Sequence, residues 1–115
     1  MDVKTSSSFV EARKLPRIEV RWPVTLMMEN GSVKGEVKNI SAEGVYIQFK
    51  HSIEEMPTNE AYRLLIHPPG EQIIVSGKLV WSNLDIMPRM GFCFVEFSEG
   101  DRELLLEAIQ KYAGE

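Results

Sequence analysis

The chain has 115 residues, a formal net charge of −4, 43% hydrophobic residues and a single cysteine. This length and composition predict one domain with a modest hydrophobic core. The acidic balance argues against a protein that coats nucleic acid, and one cysteine excludes an internal disulfide or a multi-cysteine metal site. Residues 1–10 contain three consecutive serines and lack a sustained apolar run. We expect them to be a flexible N-terminal tail, and residues 11–115 to be the folded domain, with a cytoplasmic location and no membrane insertion.

Basic residues are concentrated near the start of the predicted domain. Residues 12–28 contain four basic side chains and one acidic side chain, a local charge of +3, so the rest of the chain carries −7. Such a distribution favours a small dianionic ligand, which is attracted to one place and to little else. Arg13 and Arg17 lie four residues apart, and Pro16 between them restricts the backbone and stiffens the segment.

The next part of the sequence predicts a β-hairpin. Residues 19–28 alternate between apolar and polar side chains, which is typical of a half-buried strand. Asn30-Gly31 follows, a pair that favours a type I′ turn because both central residues of that turn need positive φ. Residues 32–38 form the returning strand, so the segments 13–17 and 39–44 should meet at one end of the sheet.

Four further strands and a helix are predicted after the hairpin. The strands cover residues 45–49, 61–67, 72–82 and 90–97, with a bulge or bend at Gly77. We expect Trp81 to belong to the core and Cys93 to be a buried thiol. The segment after Ser98 has a capping-box-like start at Asp101, followed by helical spacing of its apolar residues.

Two short motifs stand at either end of the predicted hairpin. The first is RxxxR, formed by Arg13 and Arg17, and the second is [D/N]xSxxG, formed by Asn39, Ser41 and Gly44. In this order and at this separation they resemble the PilZ domain, a bacterial receptor for cyclic di-GMP. The resemblance covers residues 11–112. It implies a mainly β fold, a six-stranded antiparallel β-barrel (a split barrel) with a C-terminal α-helix.

The resemblance also implies that the five motif residues bind cyclic di-GMP, and their chemistry is consistent with that ligand. A guanidinium can form two parallel hydrogen bonds to a phosphate or to the O6/N7 edge of guanine, and it can stack on a purine. Asn39 offers an amide, Ser41 offers a hydroxyl, and Gly44 permits positive φ or close backbone approach. Lys14 and Arg21 are possible secondary contacts. Ala12 stands where many relatives have another arginine, so the number of bound nucleotides is left open.

Simpler interpretations exist for each motif taken separately. The arginines are compatible with a solvated basic surface, and Asn39 to Gly44 with an ordinary polar turn. Elsewhere, His51 and His67 lack metal-ligand spacing, and we predict no enzyme, no metal and no cofactor other than the nucleotide ligand.

The predicted function is a cyclic di-GMP receptor that changes its N-terminal surface on binding. It would signal to a protein partner in motility, biofilm or exopolysaccharide control. The alternative is a module of pilus or motility assembly that binds proteins and not nucleotides. A barrel that binds nucleic acid is a more distant possibility, which the net charge disfavours.

Overall fold

The structure is a computed structural model and describes residues 17–29, 31–53 and 56–113. Over these residues the chain forms seven strands and one helix. They are β1 (Ile18–Glu19), β2 (Pro23–Met28), β3 (Gly31–Ile40), β4 (Gly44–Phe49), β5 (Ala61–Ile66), β6 (Ile73–Asn83), β7 (Arg89–Phe97) and α1 (Asp101–Ala113).

Six of the strands close into an antiparallel barrel. The neighbours run in the order β3, β2, β5, β6, β7, β4, and a further pairing between β3 and β4 completes the ring. β1 lies outside the ring, paired with the end of β3. The predicted six-stranded barrel with a C-terminal helix is therefore confirmed.

The predicted hairpin is present with two differences. The strand expected over residues 19–28 is interrupted, because β1 ends at Glu19 and β2 begins only at Pro23. Between them, the carbonyl of Trp22 accepts a hydrogen bond from the backbone N–H of Val37 at 2.9 Å. Gly31 has a φ of 145° and already pairs with Met28, so it begins β3 and is not central in the turn. Asn30 lies outside the described residues.

The core fills the barrel with the inward residues of each strand. Leu26, Ile47 and Phe49 are fully buried, as expected from the period of two in their strands. α1 closes one side with Leu105, also fully buried, and burial of one such side chain contributes about 1.5 to 3 kcal/mol. Its last turn places Tyr112 edge-on to Trp22, with ring centroids 5.5 Å apart.

The start of α1 is attached to the barrel. The Ser98 N–H donates to the Ile74 carbonyl at 3.0 Å, and the Asp101 carboxylate accepts from the Ile74 N–H at 2.7 Å. The predicted helix start is at the observed position. However, the Asp101 side chain connects the helix to β6, instead of bonding back to Ser98 as a capping box would.

Three bulges interrupt the strand pairing. The register shifts between Val37 and Asn39, between Ser76 and Gly77, and between Leu79 and Trp81. The second shift confirms the irregularity predicted at Gly77. Its extra residue is Val95 on β7, which is 63% exposed.

Two residues that were predicted to be buried are exposed, one on β6 and one on β7. Trp81 is 45% exposed because Val80 is an extra residue, so both side chains are on the outer face. Cys93 is exposed, because it alternates with Phe92, which is buried in the core. The outer surface of these two strands is therefore more apolar than the sequence suggested.

In the part of the chain that the structure describes, no helix is both long and apolar enough to cross a membrane. Within the same residues, no group of three or more acidic, histidine or cysteine side chains is arranged to hold a metal ion.

Candidate functional site

The position of Arg17 is fixed by the short strand that follows it. Ile18 pairs with Ile40 and Glu19 pairs with Asn39, so β1 holds the incoming chain against the end of β3. Ile18 is buried, whereas Arg17 is exposed. The strand pairing therefore brings Arg17 next to Ser41, 24 positions later in the sequence, and leaves its guanidinium accessible.

The turn from β3 into β4 is held by its own hydrogen bonds. The Ser41 N–H donates to the Gly44 carbonyl at 2.9 Å, and the Ser41 Oγ accepts from the Glu43 N–H at 3.1 Å. This is the local side-chain-to-backbone bonding that serine favours in turns. Because the bond to Glu43 uses only a lone pair of Oγ, the Ser41 hydroxyl keeps its proton to donate to a ligand.

Gly44 is needed for close approach between two strands. It pairs with Cys93 on β7, and a Cβ built at Gly44 would lie 2.5 Å from the carbonyl oxygen of Phe92. Of the two reasons predicted for this glycine, the structure therefore supports close approach. Gly44 is not among the glycines with positive φ.

The bulge at Lys38 turns Asn39 outward. Val37 and Ile40 are both fully buried although three positions separate them, an odd spacing that regular alternation does not allow. The extra residue, Lys38, restores the alternation: Asn39 pairs with Tyr46, and Ile40 faces the core opposite Val45. Without this irregularity, alternation from the buried Val37 would turn Asn39 into the core and Ile40 out of it.

Together these features bring four of the five predicted motif residues into one cavity of about 510 Å³. It is lined by Arg17, Asn39, Ser41 and Gly44, by the carboxylate-bearing turn residue Glu43, and by residues of β4, β6 and β7. Arg13 and Lys14, the remaining N-terminal candidates, lie outside the described residues. The cavity combines a cation, an amide and a hydroxyl, which can bind an anionic group together with a hydrogen-bonding base edge.

A second cavity of about 930 Å³ lies beside the first and shares Asn39 and Tyr46 with it. Arg21, predicted as a possible secondary contact, lines this second cavity with Lys38 and Arg89. Its walls also include two carboxylates, Glu19 and Asp85, so its charge is mixed. The structure thus separates Arg21 from Arg17, although both face the same side of the barrel.

An aromatic pair on the outer face of the barrel, next to Asn39, was missed in the sequence. Asn39, Tyr46, Gly91 and Trp81 form a continuous row across β3, β4, β7 and β6, since each is paired with the next. Gly91 has no side chain, and the rings of Tyr46 and Trp81 approach across it. The outward position of Trp81 depends on the bulge at Val80, which alternation in the sequence did not indicate.

A comparison with known protein families identifies the family of this chain. The family PilZ domain matches residues 11–111 of the chain. The chain belongs to the PilZ domain family. No curated protein is similar enough in sequence to match it.

Solved structures of PilZ proteins share the fold. The Bacillus subtilis inhibitor of motility (MotI/DgrA) is 21% identical with a TM-score of 0.74, and the match covers 90% of this chain and 52% of that chain. The PilZ domain with c-di-GMP of YcgR from Escherichia coli is 11% identical with a TM-score of 0.67, covering 88% and 93% of the two chains. The K. pneumonia MrkH–c-di-GMP complex is 16% identical with a TM-score of 0.69, covering 89% and 54%. The chain thus spans about half the length of MotI and of MrkH.

Proposed function

We propose that this domain is a receptor for cyclic di-GMP and that the cavity containing Arg17 is its binding site. The main support is that Arg17, Asn39, Ser41 and Gly44 line one cavity, although 21 residues of hairpin separate the two motifs in the sequence. The family and the two relatives whose structures contain c-di-GMP favour the same ligand.

Each side chain has a distinct role in this proposal. Arg17 forms paired hydrogen bonds to a phosphate or a guanine edge, and Arg13 does the same from the other end of its motif. Asn39 pairs with the hydrogen-bonding edge of a guanine through its amide. Ser41 donates its hydroxyl to a phosphate oxygen. Gly44, which has no side chain, lets β4 lie close to β7 at the wall of the cavity.

The half-buried ring of Tyr46 and the exposed ring of Trp81 supply a surface on which a base can stack. Tyr46 lines both cavities, and Trp81, which is 45% exposed and lines neither, extends this surface because its ring centroid lies 5.9 Å from that of Tyr46. Base stacking on an aromatic side chain is worth about 1 to 3 kcal/mol. Lys14 and Arg21 contribute positive potential and secondary contacts.

The result of binding is a changed N-terminal surface that a protein partner recognises. In this proposal the nucleotide draws Arg13 and Arg17 together and orders residues 1–17 against the barrel, a disorder-to-order change that presents or hides a patch. The domain acts as a receptor module in the cytoplasm, without catalysis, in control of motility, biofilm or exopolysaccharide. Hydrogen exchange of residues 1–17 with and without cyclic di-GMP tests this step, and unchanged protection would remove it.

Isothermal titration with cyclic di-GMP tests the receptor proposal, with GTP and cyclic AMP as controls. We expect saturable heat with the cyclic dinucleotide alone, and its stoichiometry gives the number of nucleotides bound. The matched variants are Arg17→Ala, in the cavity, and Arg63→Ala, an exposed arginine on β5 outside it. No heat from the folded domain would favour the alternative, a protein-interaction module of pilus or motility assembly.

A further inference from the structure

A groove opens where two neighbouring strands of the barrel separate. β2 pairs with β5 only over three residues, ending at Leu26 and Leu64. Beyond that point Met27 and Met28 remain paired with β3, whereas the pairing with β5 stops. The separation leaves a groove of about 740 Å³ between the end of β2 and the start of β5, which we call the methionine groove.

The floor of the methionine groove is made of side chains. Ile53 and Met56, from the segment before β5, line it and are 8% and 5% exposed, so they fill the gap between the strands. The Tyr62 hydroxyl donates to the Pro57 carbonyl at 3.0 Å and ties the segment to β5. Burial, with a further contribution from Glu60, raises the pKa of Tyr62 above its usual 10.0. A partner that enters the groove therefore contacts these side chains before it contacts the backbone of β2 or β5.

The groove is rich in methionine. Three of the six methionines in the sequence line it, namely Met27, Met28 and Met56. Met27 is 40% exposed although it is a large apolar side chain. Methionine side chains are unbranched and polarisable, and surfaces rich in them adapt to the apolar faces of partner helices.

The charge at the groove is acidic. Its lining includes two carboxylates, Glu29 and Glu60, and one guanidinium, Arg63. The whole chain carries a net charge of −4, and Arg17 and Arg21 lie at the other end of the hairpin. A partner with basic residues beside its apolar face is therefore complementary to this surface, and an acidic partner is not.

We propose that the methionine groove binds an amphipathic helix of a protein partner, with basic residues flanking its apolar face. The groove lies at the start of β3, at Gly31, and the nucleotide cavity lies at its end, at Asn39. Eight residues of strand separate the two by about 26 Å, at about 3.3 Å per residue. This second site goes beyond nucleotide binding.

The test uses a designed peptide of about 18 residues that forms a leucine and lysine amphipathic helix. A peptide with glutamate in place of lysine is the charge control. With methyl-labelled methionine, we expect the lysine peptide to shift the NMR signals of Met27, Met28 and Met56, and to leave those of Met87 and Met90 unchanged. Signals are assigned by single Met→Leu variants. Equal shifts at all methionines, or none, would overturn the proposal.

Two matched variants separate groove binding from general attraction to an acidic protein. Met27→Lys places a positive charge in the groove, and Met87→Lys places it at a methionine of similar exposure, 44%, on the opposite part of the barrel. We expect Met27→Lys to weaken the lysine peptide by about tenfold or more, and Met87→Lys to leave its affinity within about twofold. Equal weakening by both, or equal binding of the glutamate peptide, would contradict a specific site. Cyclic di-GMP is not added, so failure of the receptor proposal does not affect the result.

Discussion

The rings of Tyr46 and Trp81 lie with centroids 5.9 Å apart and planes at 39°, across the β7 residue Gly91. Both rings stand on the outer face of the barrel, in the row that begins with Asn39. An exposed tryptophan beside a half-buried tyrosine, next to a polar cavity, is more readily explained by a ligand than by the fold. The pair is therefore a candidate stacking surface for a base.

Trp81→Ala is expected to weaken cyclic di-GMP binding by about 1 to 3 kcal/mol, the usual worth of one stacked base, with little loss of stability. Trp81→Phe keeps a stacking ring and should recover most of the affinity. Titration calorimetry measures both variants. The fluorescence of the wild type gives a second readout, because Trp22 is 4% exposed and Trp81 is 45% exposed. If Trp81→Ala binds as tightly as the wild type, the aromatic pair is not part of the site.

Arg17→Ala removes a charge-assisted hydrogen bond from the cavity and should weaken binding by about 1.5 to 3 kcal/mol. This corresponds to about 10-fold to 150-fold in the dissociation constant. Because Arg17 is exposed, the variant should unfold at the same temperature as the wild type. Arg63→Ala makes the same change in net charge outside the cavity, so a similar loss of affinity there would show a nonspecific charge effect.

Gly44→Ala should destabilise the barrel, because the new Cβ would lie 2.5 Å from the Phe92 carbonyl oxygen. Relief requires β4 and β7 to move apart, and we expect a loss of about 1 to 3 kcal/mol in the free energy of unfolding. Gly91→Ala is the matched control, since a Cβ built at Gly91 would lie 3.9 Å from the Trp81 Cβ, an ordinary contact. Urea denaturation of the two variants decides the point. Equal stability would mean that the close approach at Gly44 is not required.

Asp101→Ala should loosen the attachment of α1 to the barrel. It leaves the Ile74 N–H without the carboxylate that accepts its hydrogen bond at 2.7 Å, and such a bond to a charged group contributes about 1.5 to 3 kcal/mol. Glu103→Ala removes a carboxylate from the same first turn of the helix and serves as the control. Thermal unfolding should show a clear decrease for the first variant alone. A similar decrease in both would assign the effect to the helix dipole.

Much of the fold follows from local sequence patterns. Alternation of apolar residues located the strands to within a few positions, as in β4, where Val45, Ile47 and Phe49 are buried in turn. Helical spacing located α1, and Leu105 and Ile109 are buried as that spacing implies. The order and separation of the two motifs indicated which end of the hairpin to consider. The alternation and the helical spacing are visible in the sequence because each depends only on residues that are close together along the chain.

The bulges at Lys38 and Val80 were decided by the tertiary structure alone. Closing six strands into a ring fixes the register of every strand pair together. The extra residues Lys38 and Val80 form bulges where the register with the partner strand shifts by one position. Those two bulges place Asn39 and Trp81 on the outer face. For Trp81, regular alternation along the strand had predicted the core. The close approach at Gly44 and the separation of β2 from β5 have the same origin, because both depend on strands that are distant in sequence. The sequence by itself thus determined the strands, the helix and the motifs, whereas non-local pairing determined which side chains surround the cavity.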